Sequence, residues 1–180
     1  GLGDVYKRQA FYGAGQTVLE AHGSAEKIHS VYKTVQNILE YSSGITNRVR
    51  AMTKQIEAAG SKAKVAVTRK HFPGTKAISL NAALLGGAIV HRVGLSESIL
   101  VFDQHRVFCS DPVAAVHLAK EQEPEKKIAV EVDNEDEGIQ YINAGADIIQ
   151  CERFSPEMLR NFVATAKQIR PVSYTHLRAH

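Results

Sequence analysis

The chain has only two cysteines, no tryptophan and no long apolar stretch. A membrane-spanning helix needs about 20 consecutive, mostly apolar residues, so the absence of such a run predicts that the protein has no membrane partner. Cys109 and Cys151 are too few for a disulfide framework, and they show no Cys-x-x-Cys or Cys/His spacing that would suggest a zinc site. Nothing near the start has the pattern of a secretory leader, and we therefore expect a cytoplasmic protein with reduced thiols.

An excess of one charge is also absent. The chain has 22 Lys and Arg against 19 Asp and Glu, a net charge of +3, and the two signs are interleaved along most of its length. Proteins that bind nucleic acids usually concentrate basic residues, so we expect no nucleic-acid partner. The 180 residues are 44% hydrophobic and 23% charged, as is typical of a globular protein with a substantial core.

Both ends of the chain look foreign to the rest. "GLGDVYKRQ" (residues 1–9) and "VSYTHLRAH" (residues 172–180) resemble translated sequencing-adaptor sequence. We predict that both are artefacts and exclude them from reasoning about fold and site. A chain bracketed in this way is expected to be a fragment of a longer protein.

Short β-branched runs alternate with helical segments from Lys62 onward. This alternation predicts βαβ units with a parallel sheet, either open and doubly wound or closed as an α/β barrel. Polar residues follow the apolar runs in "TRK", "DQH", "EVD" and "CE", which favours the barrel because its carboxyl rim carries the chemistry. The predicted strands are "KAKVAV", "SILVF", "KIAVEV" and "ADIIQCE", and a fifth is predicted to start at Ile169.

Local signals mark the ends of several elements. Asp111 and Pro112 are typical of a helix start, and Gly86 with Gly87 is typical of a helix end. "AIVHR" (residues 88–92) is either an extra short strand or a loop over the rim. Upstream, the apolar spacing predicts two helices separated by a break at residues 42–44.

Cations are concentrated in one stretch, "VTRKHFPGTKAISLNAALLGGAIVHR". It contains Arg69, Lys70, Lys76, Arg92 and two histidines, His71 and His91. Two like charges about 4 Å apart repel by roughly 4 kcal/mol at an effective dielectric constant near 20. A converging cluster would therefore need an anionic ligand, such as phosphate or carboxylate, or nearby acids for compensation. The alternative is a solvated face on which the side chains diverge.

Acidic residues end two of the predicted strands. Glu131 and Glu152 suit a hard cation such as Mg²⁺ or the hydroxyl groups of a sugar. The alternative is that they form salt bridges with the rim cations, to which Asp103 and Asp133 could also contribute. His91, beside Arg92, could donate a hydrogen bond to an anion or have a purely structural role.

Five motifs in order resemble one family. "TRKHFPGTK", "GGAIVHRVGLSES", "VFDQHR", "VEVDNEDEGIQYINAGADIIQ" and "SPEMLRNF" are similar to the quinolinate phosphoribosyltransferase (nicotinate-nucleotide pyrophosphorylase) superfamily. The resemblance runs from about Phe11 to Pro171. It implies an incomplete type II phosphoribosyltransferase α/β barrel at residues 61–171, truncated here, and the remnant of an N-terminal α/β-sandwich domain with linking helices at residues 10–60. It also implies a homodimer when the protein is full length.

The resemblance further implies a reaction and a set of residues for it. The family joins quinolinate to the ribose of phosphoribosyl pyrophosphate with Mg²⁺, releasing pyrophosphate and carbon dioxide. By their positions in the motifs, the resemblance assigns substrate binding to Lys33, Arg69, Lys70, His91 and Arg92. It assigns catalysis to Lys70, Glu131 and Glu152, with the two glutamates near the ribose and the metal.

The chain departs from the family pattern at two positions. Phe102 stands where the quinolinate enzymes have a lysine, and Lys33 stands where they have an arginine. Two stretches, "VYKTVQNILEYSSGIT" and "HRVGLSESILVFDQHR", resemble a branch of the family whose name associates it with molybdate uptake. An alternative function is therefore a non-enzymatic oxyanion-binding or accessory protein of molybdate uptake. The glycine-rich phosphate loops of the family follow later strands, so we expect this fragment to be inactive alone.

Overall fold

The computed structural model describes residues 12–91, 97–169 and 174–177. Residues 1–91 and 92–180 form two compact units, each of which is described by itself. Between residues 12 and 91 the first unit contains two helices and two strands: α1 (Ala25–Ala58), β1 (Ala66–Val67), α2 (Lys76–Leu85) and β2 (Ile89–Val90).

Helix α1 is continuous, so the prediction of two helices separated at residues 42–44 is wrong. The Ser42 hydroxyl donates to the Ile38 carbonyl at 2.7 Å, within the helix, and so does not support a turn. Gly44 weakens the helix locally, but the residues that follow it are held by packing against α2. Tertiary contacts thus outweigh the local signals for a break.

Helices α1 and α2 approach each other closely. The hydroxyl of Thr46 donates to the Ala82 carbonyl at 2.9 Å, and that of Thr53 donates to the Gly86 carbonyl at 3.2 Å. A Cβ atom at Gly86 would lie 2.7 Å from Cβ of Val49 and 2.8 Å from the Thr46 carbonyl oxygen. Glycine at this position is therefore what permits the crossing. The core of this unit consists of Val49, Val65, Ala83 and Ala88.

Strands β1 and β2 pair in parallel, with Ala66 beside Ile89 and Val67 beside Val90. The predicted strand at residues 62–67 is thus shorter in the structure, and the "AIVHR" segment supplies a short strand. Helix α2 connects the two strands and ends at Gly86, as predicted, followed by Gly87 with φ of 95°. Because a positive φ is unfavourable for other residues, Gly87 suits the reversal into β2.

The second unit is a four-stranded, all-parallel sheet in the order β3-β4-β5-β6. Its strands are β3 (Ser98–Val101), β4 (Lys127–Val132), β5 (Ile148–Cys151) and β6 (Tyr174–Leu177). Its helices are α3 (Asp103–Arg106), α4 (Pro112–Gln122), α5 (Glu135–Asn143) and α6 (Pro156–Ile169). The parallel sheet with intervening helices is the βαβ arrangement that the alternating sequence predicts.

Side-chain caps fix the starts of two of these helices. The Asp111 carboxylate accepts hydrogen bonds from the backbone N–H groups of Val113 at 3.1 Å and Ala114 at 2.9 Å, with Pro112 in the first turn, as predicted. Asn134 caps α5 by accepting from the Glu137 N–H at 2.9 Å. These caps set where the chain leaves the sheet and re-enters a helix.

One face of the second sheet is covered by helices. Val130 and Val132 of β4 lie beside Ile149 and Cys151 of β5 on this face, and Phe162 of α6 is completely buried against them. The opposite face carries the intervening residues of each strand, because successive side chains alternate across a sheet. This alternation directs polar residues of β4 and β5 away from the apolar core.

The predicted fifth strand starting at Ile169 is wrong, because α6 continues through that residue. Phe162 and Ala166 are buried at helical spacing, so the face that holds α6 to the core persists to its last turn. A strand does follow, β6, but it lies at 174–177, inside the stretch predicted to be an artefact. The prediction about the origin of that stretch stays a prediction.

No helix in the part of the chain that the structure describes combines the length and apolarity needed to cross a membrane. The 34-residue α1 is long enough, but polar residues are spread along it.

The close crossing at Gly86 generates a prediction about stability. We expect Gly86→Ala to lower the free energy of unfolding by about 1–3 kcal/mol, because the new methyl overlaps Val49 and backbone. Gly44→Ala, where an added Cβ meets nothing within 4 Å, is the matched control and should raise it by about 0.4–1 kcal/mol. Urea unfolding followed by circular dichroism measures both; equal effects of the two variants would contradict the packing argument.

Candidate functional site

In the first unit, the residues that carry the predicted positive charges follow strands β1 and β2 at the same edge of the sheet. β1 and β2 are parallel neighbours, and the His91 N–H donates to the Val67 carbonyl at 3.1 Å. Arg69 and Lys70, two and three residues beyond β1, therefore leave the same edge as His91, which directly follows β2. Arg69 and Lys70 are exposed, and His91 is half-buried. The structure brings these three predicted residues to one edge.

A tight turn follows this edge and holds the backbone in place. The His71 N–H donates to the Arg69 carbonyl at 3.1 Å, and the Phe72 carbonyl accepts from the Thr75 N–H at 3.0 Å and the Thr75 hydroxyl at 2.7 Å. Gly74 supplies the positive φ of 80° that this turn uses. The cations thus stand on a hydrogen-bonded turn that leads directly into α2.

Two predicted substrate-binding residues are not placed at this edge. Arg92 lies outside the described residues. Lys33 is exposed on α1, where its ammonium donates to Gln36 at 3.1 Å and lies 5.3 Å from the centre of the Tyr32 ring. Its contacts are therefore with its own helix.

In the second unit, polar side chains share the sheet face opposite the helix-covered core. Glu131 of β4 lies beside Gln150 of β5, and the Gln150 amide donates to Oε2 of Glu131 at 2.5 Å. Glu152 follows β5 and is two residues beyond Gln150, which places it on the same face by strand alternation. It is 9% exposed, and its N–H donates to the Val132 carbonyl at 2.9 Å. Both predicted glutamates therefore stand at the carboxyl ends of adjacent parallel strands.

Phe102 is the neighbour of Glu131 on the other side. Val101 pairs with Val130, and the extended backbone of Phe102 (φ −114°, ψ 169°) carries β3 one residue further, to the level of Glu131. The ring stacks on His105 at 5.7 Å between centroids. The position where the family resemblance implies a lysine thus holds an apolar residue at the level of Glu131.

The environment of Glu131 disfavours its charged form. Burial raises the pKa of Glu131 above its ordinary value of 4.5, and the nearby carboxylates of Glu152 and Asp133 raise this pKa further. Arg106 and Arg153 oppose the shift. An acid held in this way can accept a proton or a hydrogen bond from a ligand, or bind a cation that relieves the repulsion.

A network around Arg106 was not predicted from the sequence. Its guanidinium donates to Asp103 and to Glu137, and to the Tyr141 hydroxyl at 3.3 Å, while its side chain is only 11% exposed. Glu137 also accepts from the Asp133 N–H at 3.0 Å. The network therefore ties the segment after β3 to the segment after β4. Asp103 compensates Arg106, which is not one of the cations it was expected to balance.

Burial alone would lower the pKa of Arg106, but its contacts with Tyr141 and Glu137 outweigh this effect and raise the pKa. The guanidinium therefore stays charged within the network. The signal in the sequence was an arginine four residues after a strand end, in "DQHR", followed by the acidic first turn of "DNEDEG". That pattern does not indicate which acid pairs with Arg106, because "DQHR" and "DNEDEG" are brought together only by the pairing of the parallel strands that precede them.

The two glutamates are the candidate ligands of Mg²⁺. Among the described residues there is no group of three or more His, Cys, Asp or Glu side chains that could hold a metal ion. Mg²⁺ nevertheless often uses only one or two protein carboxylates, together with water and substrate phosphates. Glu131 and Glu152 share a face and interact electrostatically, so their donor set fits this mode of binding.

The family described as "Quinolinate phosphoribosyl transferase, C-terminal domain" matches residues 45–176. This match includes strands β1 to β5, the residues Arg69, Lys70 and His91 at the edge of the first sheet, and both glutamates.

Individual relatives agree with the family match. A protein of Pasteurella multocida (strain Pm70) named "Putative pyrophosphorylase ModD" is 41% identical over 160 residues, which are 87% of this chain and 57% of the relative. A protein of Methanothermobacter thermautotrophicus named "Probable nicotinate-nucleotide pyrophosphorylase (carboxylating)" is 32% identical over 148 residues, covering 82% of this chain and 53% of the relative. The chain thus spans a little over half the length of these relatives.

Among solved structures, the nicotinate-nucleotide pyrophosphorylase from Francisella tularensis superposes with a TM-score of 0.75 at 27% identity, covering 98% of this chain and 66% of that one. This likeness confirms the predicted fold class, an incomplete α/β barrel of the type II phosphoribosyltransferase kind.

The raised pKa of Glu131 generates a prediction about pH. Between pH 4.5 and the raised pKa, the folded state keeps a proton on Glu131 that the unfolded state has lost. The free energy of unfolding of the wild-type therefore falls as pH rises through this range. We expect Glu131→Gln to be more stable than wild-type at pH 7, with a difference that disappears below pH 4.5. Urea midpoints across pH, with Glu125→Gln in an exposed loop as control, measure this. A variant less stable than wild-type at pH 7 would show that the carboxylate is net stabilising.

The Arg106 network generates a second prediction. Glu137→Gln should lower the free energy of unfolding by about 1–3 kcal/mol, because a nearly buried guanidinium loses a charged partner. Asp136→Asn removes the same charge at an exposed position of the same helical turn and should cost well under 1 kcal/mol. Equal effects of the two variants in chemical unfolding would refute a specific role for the ion pair.

Proposed function

The chain belongs to the quinolinate phosphoribosyltransferase family, and we propose that the protein of which it is part transfers phosphoribosyl from phosphoribosyl pyrophosphate to a small aromatic carboxylate such as quinolinate. The ring nitrogen forms a bond to the anomeric carbon of the ribose. The bond from that carbon to the pyrophosphate oxygen breaks, and pyrophosphate leaves with the electron pair. With quinolinate, the carboxylate next to the nitrogen leaves as carbon dioxide, and a proton takes its place.

One observation carries this proposal: Arg69 and Lys70 leave the sheet at the same edge as His91, in a segment that the family match includes. Both substrates are anionic, so the site must supply positive charge and hydrogen-bond donors. The flat guanidinium of Arg69 suits a carboxylate that accepts two parallel hydrogen bonds, and the ammonium of Lys70 supplies a point charge. Arg92 and Lys33 are included in the proposed substrate set.

Glu131 and Glu152 are proposed to face the ribose and its metal. Their carboxylates can accept hydrogen bonds from hydroxyl groups, or hold Mg²⁺ when it is bound. Mg²⁺ would neutralise charge on the leaving pyrophosphate. Lys70 would add to that electrostatic stabilisation, which is often the largest contribution to catalysis of this kind.

The proposed assembly is a homodimer. The exposed position of Lys33 on α1 leaves its ammonium accessible to a second subunit. The alternative function, oxyanion binding in molybdate uptake without catalysis, would require binding of molybdate and no release of pyrophosphate. Calorimetry with molybdate and, separately, with phosphoribosyl pyrophosphate distinguishes the two.

The proposal predicts the behaviour of Arg69 variants in the full-length protein. Arg69→Lys keeps the charge but loses the bidentate fork, and should raise KM for the aromatic acid about 10- to 100-fold, as expected for one hydrogen-bonded ionic contact. Arg69→Ala should reduce kcat/KM at least as much. Steady-state release of pyrophosphate measures both.

Lys64→Ala is the matched control, because it removes an exposed cation before the amino end of the same strand. It should leave KM within about twofold of wild-type, as exposed surface changes usually do. If Arg69→Ala together with Arg92→Ala releases pyrophosphate as fast as wild-type, the proposed function is wrong.

A further inference from the structure

Gln150 is the direct cross-strand neighbour of Glu131 in the parallel register of β4 and β5. Its amide nitrogen donates to Oε2 of Glu131 at 2.5 Å. Both side chains are half-buried and stand on the sheet face opposite the helix-covered core. Gln150 is not among the residues assigned to substrate, metal or catalysis above.

This hydrogen bond leaves two oxygen acceptors available. Within the described residues, the bond from Gln150 is the one hydrogen bond that the Glu131 side chain makes, so its Oε1 accepts none there. The same holds for the carbonyl oxygen of the Gln150 amide. These acceptors lie on neighbouring strands, about 4.8 Å apart at the backbone, and can each accept a hydrogen bond from a hydroxyl group of a ligand.

An amide at position 150 also adds no further negative charge to a face on which carboxylates already repel one another. Glu152 and Asp133 are close enough to Glu131 to disfavour its charge, and Arg106 and Arg153 are the cations that oppose them. Phe102, which directly follows β3, has no side-chain donor at the level of Glu131. Gln150 therefore supplies the hydrogen-bond donor that fixes the Glu131 carboxylate without adding another charge.

From this geometry we infer that Gln150 is a positioning residue, which orients Glu131 and with it presents two acceptor oxygens to the hydroxyl groups of the phosphoribosyl substrate. The inference rests on the proposed function, because that function supplies the ligand. It differs in content from the assignment of Glu131 and Glu152, since it concerns a neutral side chain that acts mainly through Glu131.

The test is a double-mutant cycle read out by binding in the full-length protein. Titration calorimetry without metal measures the Kd of phosphoribosyl pyrophosphate and, separately, of quinolinate. Gln150→Met, which keeps the length of the side chain and removes the amide, should weaken phosphoribosyl pyrophosphate binding about 10- to 100-fold. Quinolinate binding should change less than twofold, a difference that a general loss of structure would not produce.

The coupling between the two residues is the decisive quantity. In a Glu131→Gln background, Gln150→Met should weaken phosphoribosyl pyrophosphate binding by less than about threefold more, because positioning of a carboxylate no longer matters. Gln140→Met, which removes an exposed amide from α5, is the matched control and should leave both dissociation constants unchanged. If Gln150→Met prevents folding, Gln150→Leu, which also removes the amide and is shorter, takes its place in the cycle.

Independent effects of the two substitutions, or equal loss of both ligands, would overturn the inference. Unchanged phosphoribosyl pyrophosphate binding in Gln150→Met would also overturn it while leaving the proposed function intact. Wild-type protein that binds no phosphoribosyl pyrophosphate and releases no pyrophosphate would overturn the proposed function, and the role of Gln150 with it.

Discussion

Parallel strand pairing is the constraint on which the rest of the structure depends. In the first unit, the pairing of Val67 with Val90 brings the segment after β1 to the same edge as His91. In the second, the pairing of Glu131 with Gln150 sets which polar side chains meet on the sheet face opposite the helix-covered core. A register shift of one residue would exchange these side chains with the apolar residues of the core, so the buried valines of β4 fix the candidate site as well as the fold.

The two units place opposite charges at their strand ends and handle them differently. The cations of the first unit are exposed on a hydrogen-bonded turn, where water or an anionic ligand can surround them. The acids of the second unit are partly buried, and two devices support them: the Gln150 amide and the network in which Arg106 joins Asp103 and Glu137. Burial makes the acids sensitive to what binds beside them, as is expected for groups at a functional site.

Much of the fold could be predicted because its signals are local. Asp111 with Pro112, and Gly86 with Gly87, each determine a helix end within a few residues, and the alternation of strands and helices fixes the parallel sheet. The predicted break at residues 42–44 failed because packing against α2 outweighs the weak helix propensity of Ser and Gly. The strand predicted at Ile169 failed because the buried face of α6 extends through the last turn.

The candidate site could be predicted only in part. Arg69, Lys70, His91, Glu131 and Glu152 follow or end apolar runs, and that position alone identifies them as rim residues. The contact of Arg106 with Glu137 and that of Gln150 with Glu131 join residues 31 and 19 positions apart, respectively. Both depend on strand register, which a single sequence does not specify.

The product of the reaction tests the central claim most directly. The full-length protein would be incubated with phosphoribosyl pyrophosphate, quinolinate and Mg²⁺, and the mixture examined by mass spectrometry. The account predicts a pyridine ribonucleotide lacking one carboxylate, formed in the same amount as pyrophosphate. Absence of any ribonucleotide from quinolinate and other pyridine carboxylates, together with saturable binding of molybdate, would contradict it.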